Sequence, residues 1–330
     1  MRVLVTGGAG FVGSTTAQRL IEAGHEVVVL DTLLRGFRAA VPPGASLVVG
    51  DIGDADLVTR TLRDRHIDAI VHCGAMGLVP ESVTQPDIYY RVNVVGGMTM
   101  LESMRAAGVR RIVFSSSAAV YGEPEQTPIQ EDQPLRPISP YGDTKRAFEG
   151  MLTSFTHAYG MAAVSLRYFN AAGATDKLGE DHRPETHLIP NILSAVGRGE
   201  TIKIFGNDYP TPDGTCIRDY IHVDDLAAAH VAALEFTSGA ENGHTALNLG
   251  SGSGYSVLQV LNAAEQVLGH PIDHELTPRR AGDPPVLVAS NERAREVLGW
   301  QPQRGIEDMI ESAWRWRQDH PNGYDEAARG

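Results

Sequence analysis

Cysteine is nearly absent from this sequence. Cys73 and Cys216 are the only two, far apart in a chain of 330 residues. That excludes a disulfide framework and a cysteine metal cage, and it implies two thiols in a reducing cytoplasm. Long apolar runs are also missing. No window approaches the ~18 residues of a membrane span, and the opening Met1-Arg-Val-Leu-Val-Thr-Gly-Gly breaks into glycine too early for a signal peptide. Basic residues are in deficit, 28 Lys and Arg against 41 Asp and Glu, for a net charge of −13. A nucleic acid is therefore not expected as a partner; without a span neither is a membrane, and no metal is expected. What is present is 42% hydrophobic residues with 21% charged, enough apolar material for a sizeable core in one large domain or two unequal ones.

Short β-branched runs at 2–6, 26–30, 46–49, 68–72, 110–115 and 162–168 alternate with amphipathic stretches near 11–23, 54–65, 84–107 and 139–159. Strands separated by helices predict a parallel sheet with right-handed crossovers. Runs such as Val27-Val28-Val29-Leu30 suit strands covered on both faces. After about residue 170 glycine and proline punctuate the chain, and 205–216 reads as turns. Helices are expected near 187–198, 224–236, 256–268 and 304–318. The expected fold class is α/β: a doubly wound, Rossmann-type parallel sheet over 1–170, with a smaller C-terminal domain over 171–330 from which some segments return to the first.

Gly7-x-x-Gly10-x-x-Gly13, with Phe11 and Val12 inside it, falls between the first strand and the first helix. In such a loop one glycine permits a tight turn, another lets backbone approach a pyrophosphate, and a third lets helix pack on strand. The helix N-terminus then offers N–H groups and partial positive charge to phosphate. Asp31 ends the second strand, 18 residues beyond Gly13. Its carboxylate suits the ribose hydroxyls of an adenosine and repels a 2′-phosphate, so NAD rather than NADP is expected. Gly50-Asp51-Ile52 follows the third strand, where Asp51 either reaches the adenine amino group or caps the helix at 54.

Ser-Pro-Tyr-Gly-Asp-Thr-Lys at 139–145 puts Tyr141 and Lys145 four residues apart, on one face of a helix. Ser115-Ser116-Ser117 ends the fifth strand, at the carboxyl edge where such sheets meet their ligands. A phenol with a pKa near ~10 is a poor base at neutral pH. Lowering it to about 7 takes roughly 4 kcal/mol of phenolate stabilisation, which Lys145 and a positive nicotinamide ring together would supply. The serine hydroxyl would orient the alcohol being oxidised.

Thr-Gly-Gly-Ala-Gly-Phe-Val-Gly at 6–13, the serine triplet followed by Ala-Ala-Val-Tyr-Gly at 118–122, and Tyr141-x-x-x-Lys145 resemble the extended short-chain dehydrogenase/reductase superfamily. Five later runs narrow the resemblance to its UDP-glucose 4-epimerases: 166–170, 204–210, 213–223, 248–250, and Arg-Arg-Ala-Gly-Asp at 279–283. The match extends from residue 1 to about 320. It implies NAD as cofactor for the first domain, a UDP-sugar as substrate for the second, and a homodimer joined through helices near 84–107 and 139–159. Tyr141 would take the proton of the sugar 4-hydroxyl while hydride leaves carbon 4 for NAD. The 4-keto intermediate would turn about its pyrophosphate link and receive hydride on the opposite face, so that UDP-glucose and UDP-galactose interconvert.

Residue by residue, the resemblance gives Ser117 the sugar 4-oxygen and Lys145 a nicotinamide-ribose hydroxyl. Cys73, Ala75, Asn93, Ser115 and Phe169 match cofactor-contact positions, beside the glycine loop, Asp31, Asp51 and Ile52. Asn170, His187, Leu188, Phe205, Arg218, Arg280 and Asp283 match positions around the uridine diphosphate. Leu287, four beyond Asp283, matches a hexose-pocket position where Tyr excludes N-acetyl groups and Cys or Ser admits them. Leucine there is expected to admit UDP-N-acetylhexosamines weakly. His222 matches a mainly structural segment. The sequence departs from the pattern at Gly77, where a lysine is usual, which bears on how tightly NAD is held; His187 replaces an asparagine of some members. A 4-epimerase of UDP-pentoses or UDP-uronates is the nearest competing reading. A non-catalytic NAD-binding sensor is a second, opposed by the intact Ser117, Tyr141 and Lys145.

Overall fold

The computed structural model describes residues 1–239, 242–279 and 284–324. Strands β1 (Arg2–Thr6), β2 (Glu26–Asp31), β3 (Ser46–Val49), β4 (Ala69–His72), β5 (Arg111–Ser117) and β6 (Ala162–Tyr168) lie side by side in the order 3-2-1-4-5-6, all parallel. Further along come β7 (Asn170–Ala172), β8 (Ile202–Phe205), β9 (Ile217–Arg218), β10 (Tyr220–His222) and β11 (Gly243–Leu249). Of these, β11 joins the main sheet beside β6, with Gly243 opposite Ala162 and Leu249 opposite Tyr168. The sequence did not suggest this seventh strand. Half-buried through Gly243–Ala246, it is mixed in polarity and owes its state to pairing with β6 rather than to a hydrophobic run.

Helix α1 (Phe11–Glu22) lies on one face of the sheet with the later α8 (Val223–Gly239), and α2 (Ala55–Asp64), α5 (Gly97–Ala107) and α6 (Pro140–Tyr159) cover the other. Val5, Val29, Val71 and Val113 point into the first layer, and Leu4, Ile70 and Ile112 into the second, all of them fully buried. Truncating any one of these leucines or isoleucines to alanine costs about 2–5 kcal/mol. Burial on both faces explains why the strands read as unbroken apolar runs. The expected helix at 84–107 is instead broken. Pro86 cannot donate a backbone hydrogen bond, so α3 (Val79–Thr84) stops before it and α4 (Pro86–Tyr89) starts from it. A π-helical stretch at Tyr90–Gly96 follows before α5 begins.

Helices α7 (Leu188–Arg198), α9 (Val257–Leu268) and α11 (Ile306–Asp319) pack around Ile192, Leu193, Val260 and Ile310 to make a second core. Short strands complete it: β8 pairs with β13 (His274–Thr277), and β9 lies between β12 (Tyr255–Ser256) and β14 (Val286–Leu287). Chain after residue 170 is thus shared, because α8 and β11 return to the main sheet. α10 (Glu292–Leu298) joins them through Ala294, buried in the first layer. Arg19 of α1 pairs with Asp224 of α8, and Arg304 reaches both Asp224 and Asp225, at 2.5 and 2.6 Å. No described helix is long and apolar enough to cross a membrane.

Candidate active site

Strand order reverses between β1 and β4, which opens a crevice at the carboxyl edge of the sheet. A cavity of about 880 Å³ occupies it, lined by the glycine loop, the ends of β2, β3 and β4, the start of α6, and the segment around 179–187. This is where the second core leans over the sheet.

The glycine loop fits a dinucleotide. Gly7 has φ +68°, and a Cβ on it would lie 2.5 Å from Gly74 Cα. A Cβ on Gly13 would lie 2.1 Å from the Gly7 carbonyl oxygen. These two are glycine because protein crowds them. Gly10 is different: a Cβ there meets only the Gly7 oxygen, at 3.4 Å, and the space beyond belongs to the cavity. Gly10 caps α1 without any side-chain acceptor, so the first-turn N–H groups of Phe11 and Val12 remain for an anion. Asp31 accepts from Ala9 N at 3.0 Å and Leu33 N at 2.8 Å. Burial pushes its pKa up while those two bonds oppose the shift, and each oxygen keeps a lone pair for a ribose hydroxyl. Asp54, not Asp51, caps α2 by accepting from Leu57 N at 2.9 Å. Asp51 bonds only its own turn, through Gly53 N, and with Ile52 faces the cavity. Cys73 and Ala75 line the crevice after β4, and burial pushes the Cys73 thiol up to about 11.

Ser117, Tyr141 and Lys145 meet on this cavity. Ser139 caps α6 by accepting from Gly142 N at 3.2 Å, and Pro140 opens the helix, which sets Tyr141 and Lys145 in its first two turns. Lys145 is 4% exposed. Its Nζ donates to the Ser115 carbonyl at 2.8 Å and lies 5.7 Å from the centre of the Tyr141 ring. Burial lowers its pKa to about 8, against the opposing charges of Cys73 and Glu149. Ser117 Oγ accepts from Ala119 N at 3.1 Å, leaving its proton for the Tyr141 oxygen or a substrate oxygen. For Tyr141 the protein alone acts against the expected lowering: burial raises the phenol's pKa, and the Ser117 hydrogen bond only partly opposes it.

Two residues assigned to the cofactor lie behind the cavity wall instead. Asn93 is buried, with its amide accepting from Met76 N at 2.8 Å and donating to Met76 O at 3.1 Å and Thr144 Oγ1 at 3.0 Å. It ties the loop after β4 to α6. Ser115 bonds His230 Nε2 at 2.8 Å and Cys73 Sγ at 3.1 Å, so it supports Lys145 from beneath. Gly77 lines the cavity with nothing within 4 Å of a Cβ, so the place of the usual lysine is open space.

Phe169, Asn170, His187, Arg218 and Leu287 also line the cavity. Asn170 Nδ2 donates to Asp219 O at 2.8 Å, and Arg218 to Ile217 O at 2.7 Å. Leu287 sits opposite Arg218 in the β14–β9 pair and packs, as Phe169 does, against the cluster of Val120, Tyr121 and Ile129. Leu188 and Phe205 fall outside the lining: Leu188 packs into the second core, and Phe205 pairs with Thr277 at the end of β8. Leu188 nevertheless opens α7, whose N-cap, His187, makes no side-chain cap bond. Arg280 and Asp283 lie outside the described residues. His222 is no base here; it accepts from Asp224 N and contacts Ser312 Oγ, both at 3.1 Å, and burial lowers its pKa to about 4.

Sequence reasoning passed over Tyr168, Glu180 and His182, which also line the cavity. Burial opposes a charge on His187, but hydrogen bonds to Glu180 and Glu185 outweigh it and hold the imidazole at about 10. The alternation Glu180-x-His182-x-x-Glu185-x-His187 was the available signal.

The sequence profile of the NAD dependent epimerase/dehydratase family matches residues 3–250. The UDP-glucose 4-epimerase of Streptomyces lividans is 53% identical over 327 residues, 98% of either chain. The crystal structure of UDP-glucose 4-epimerase from Brucella ovis in complex with NAD superposes with a TM-score of 0.91 at 44% identity, covering 95% of this chain and 97% of that one. The enzyme from Bifidobacterium longum in complex with NAD+ and UDP gives a TM-score of 0.92 at 37% identity, over 98% and 100% of the two chains.

Proposed function

The chain belongs to the NAD dependent epimerase/dehydratase family, and on that premise we propose that it interconverts UDP-glucose and UDP-galactose at sugar carbon 4. It is an NAD-dependent isomerase. The observation that carries the reading is the convergence of Ser117, Tyr141 and Lys145 on the cavity that the glycine cradle and Asp31 also line.

NAD, which the glycine loop and Asp31 would hold, would supply the hydride acceptor and donor for carbon 4. The protein's own groups do the rest. Ser117 donates to the 4-oxygen and aligns it with Tyr141, which removes the hydroxyl proton and later returns it. Lys145, anchored on the Ser115 carbonyl, holds positive charge beside the phenol and stabilises its ionised form. Because the proton returns to the oxygen it left, no proton path to solvent is required. Asn170, His187, Arg218 and the open N-terminus of α7 hold the diphosphate while the sugar turns, and the resemblance adds Arg280 and Asp283. Cofactor thus belongs to the 1–170 portion and substrate mainly to 171–330. Leu287 sets the width of the sugar pocket.

Val79, Val83 and Val95 are exposed at 41%, 63% and 61% along α3 and the π-helical stretch. These apolar positions fit a homodimer joined through this region and α6. Cys73 and Cys216 form no disulfide, which fits a reducing cytoplasm, and the proposed reaction would place the protein in galactose metabolism. The test is UDP-galactose with no added cofactor. Conversion to UDP-glucose is expected, and Tyr141→Phe should keep NAD and lose at least about a hundredfold in turnover. Faster turnover of UDP-pentoses or UDP-uronates would reassign the substrate, and NAD binding with no turnover of any UDP-sugar would refute the enzyme.

A further inference from the structure

Four side chains of the segment beside the cavity converge, and we propose that Glu180, His182, Glu185 and His187 form a binding site for a divalent transition cation of the zinc class. Nδ1 of His187 lies 2.8 Å from Glu180 Oε1 and 2.9 Å from Glu185 Oε1. Nδ1 of His182 lies 3.0 Å from the same Glu180 oxygen and 3.8 Å from Glu185 Oε2. One donor atom from each residue falls in a set lying within 4.8 Å of one another. Around a cation held at about 2.0–2.2 Å, tetrahedral donors stand about 3.3–3.6 Å apart. The observed separations bracket that edge.

In the metal-free chain the imidazole protons are shared with the carboxylates, and a dication would displace those protons and carry the same charge. Each Nδ1 carries at most one proton, yet His187 Nδ1 faces two carboxylate oxygens at once. Glu185 Oε1 already accepts from the backbone N–H groups of Thr186 and His187, both at 2.7 Å. One dication would engage both imidazoles and be neutralised by the two carboxylates. Imidazole with carboxylate suits zinc. The carboxylates are the buried side of the set, at 6% and 18% exposure, and the histidines the open side, at 33% and 40%. Glu180, His182 and His187 line the cavity, which provides the entry path. The His182 ring stands 6.4 Å from that of Phe11, so the site adjoins the start of α1. Chelation would clamp the 180–187 loop over the cavity.

This proposal does not rest on epimerase activity, and its test reads metal alone. The full, NAD-loaded chain is treated with EDTA, dialysed and titrated with Zn2+ by calorimetry. Elemental analysis follows gel filtration, and Co2+ serves as a spectroscopic probe. Expected are one zinc per chain retained through the column, a rise in Tm with zinc, and tetrahedral cobalt bands with no thiolate charge-transfer band. His182→Gln and Glu185→Gln should each abolish stoichiometric retention. Should His182→Gln fail to fold and hold NAD, Glu185→Gln and the cobalt spectrum of the unsubstituted chain decide. Sub-stoichiometric zinc, a thiolate band implicating Cys73 or Cys216, or unchanged retention in the folded variants would overturn the assignment.

Discussion

Replacing Lys145 by Met removes a positive charge from a pocket built around it. In the parent, Nζ lies 5.7 Å from the centre of the Tyr141 ring, and the residue is 4% exposed. At an effective dielectric constant of ~20, unit charges at that separation interact by about 3 kcal/mol, or about two pKa units. The charge favours phenolate, so its removal raises the pKa of Tyr141. The ascending limb of the pH–rate profile should move alkaline by about two units, and turnover at neutral pH should fall on the order of a hundredfold. Lys145 itself is lowered to about 8 by burial. The parent therefore holds the charge below that pH and loses it above, a dependence the variant lacks. Methionine keeps the aliphatic packing over Phe114, whose ring centre lies 4.8 Å from Nζ. The assay is kcat across the pH range, with NAD content measured for each preparation. A folded, cofactor-loaded variant whose ascending limb stays in place refutes the electrostatic account. A loss uniform at every pH refutes it too, and points to the lost anchor on the Ser115 carbonyl.

Asp31→Ser should narrow the preference for NAD over NADP in cofactor-stripped protein and weaken the loop, since Ala9 N and Leu33 N lose their acceptor; an unchanged preference would put discrimination elsewhere in 31–38. Leu287→Tyr should suppress turnover of UDP-N-acetylglucosamine selectively and Leu287→Ser should raise it, because fitting an acetyl group against leucine costs about 1–3 kcal/mol. Equal effects on both substrate classes would remove Leu287 as the gate. Burial holds His72, His222 and His230 neutral, with pKa values lowered to about 3, 4 and 4. Unfolding lets each take up a proton near its ordinary ~6.5, so stability is full above that pH and falls as pH drops from there towards about 4, by a few kcal/mol per group. Urea midpoints should show this fall, and His230→Gln should flatten it; an identical slope would exclude His230 as a contributor.

The glycine loop could be read from sequence because its physics is local. Gly7 needs its positive φ, and Gly13 must lie against Gly7, within one turn of chain. Tyr141 and Lys145 were legible for the same reason, since helical periodicity alone brings them together. Helix 84–107 was misread because an amphipathic pattern continues across Pro86, which stops the hydrogen-bond ladder without interrupting the apolar face. β11 was missed because nothing in Gly243–Leu249 marks a strand until β6 lies beside it.

Local sequence determined the nucleotide loop, the acid that ends β2 and the Tyr–Lys helix face, since each depends on contacts a few residues apart. Tertiary structure alone decided which residues reach the cavity. Asn93 and Ser115 stand behind its wall because the Met76 backbone and Thr144 take up the amide of the first, and His230 and Cys73 the hydroxyl of the second. It also decided the charge on His187, because burial and carboxylates act through space. Tyr141 marks the boundary between the two. Its place on the helix is written in the spacing, whereas its acidity depends on how deeply the fold buries it and how near Lys145 is held.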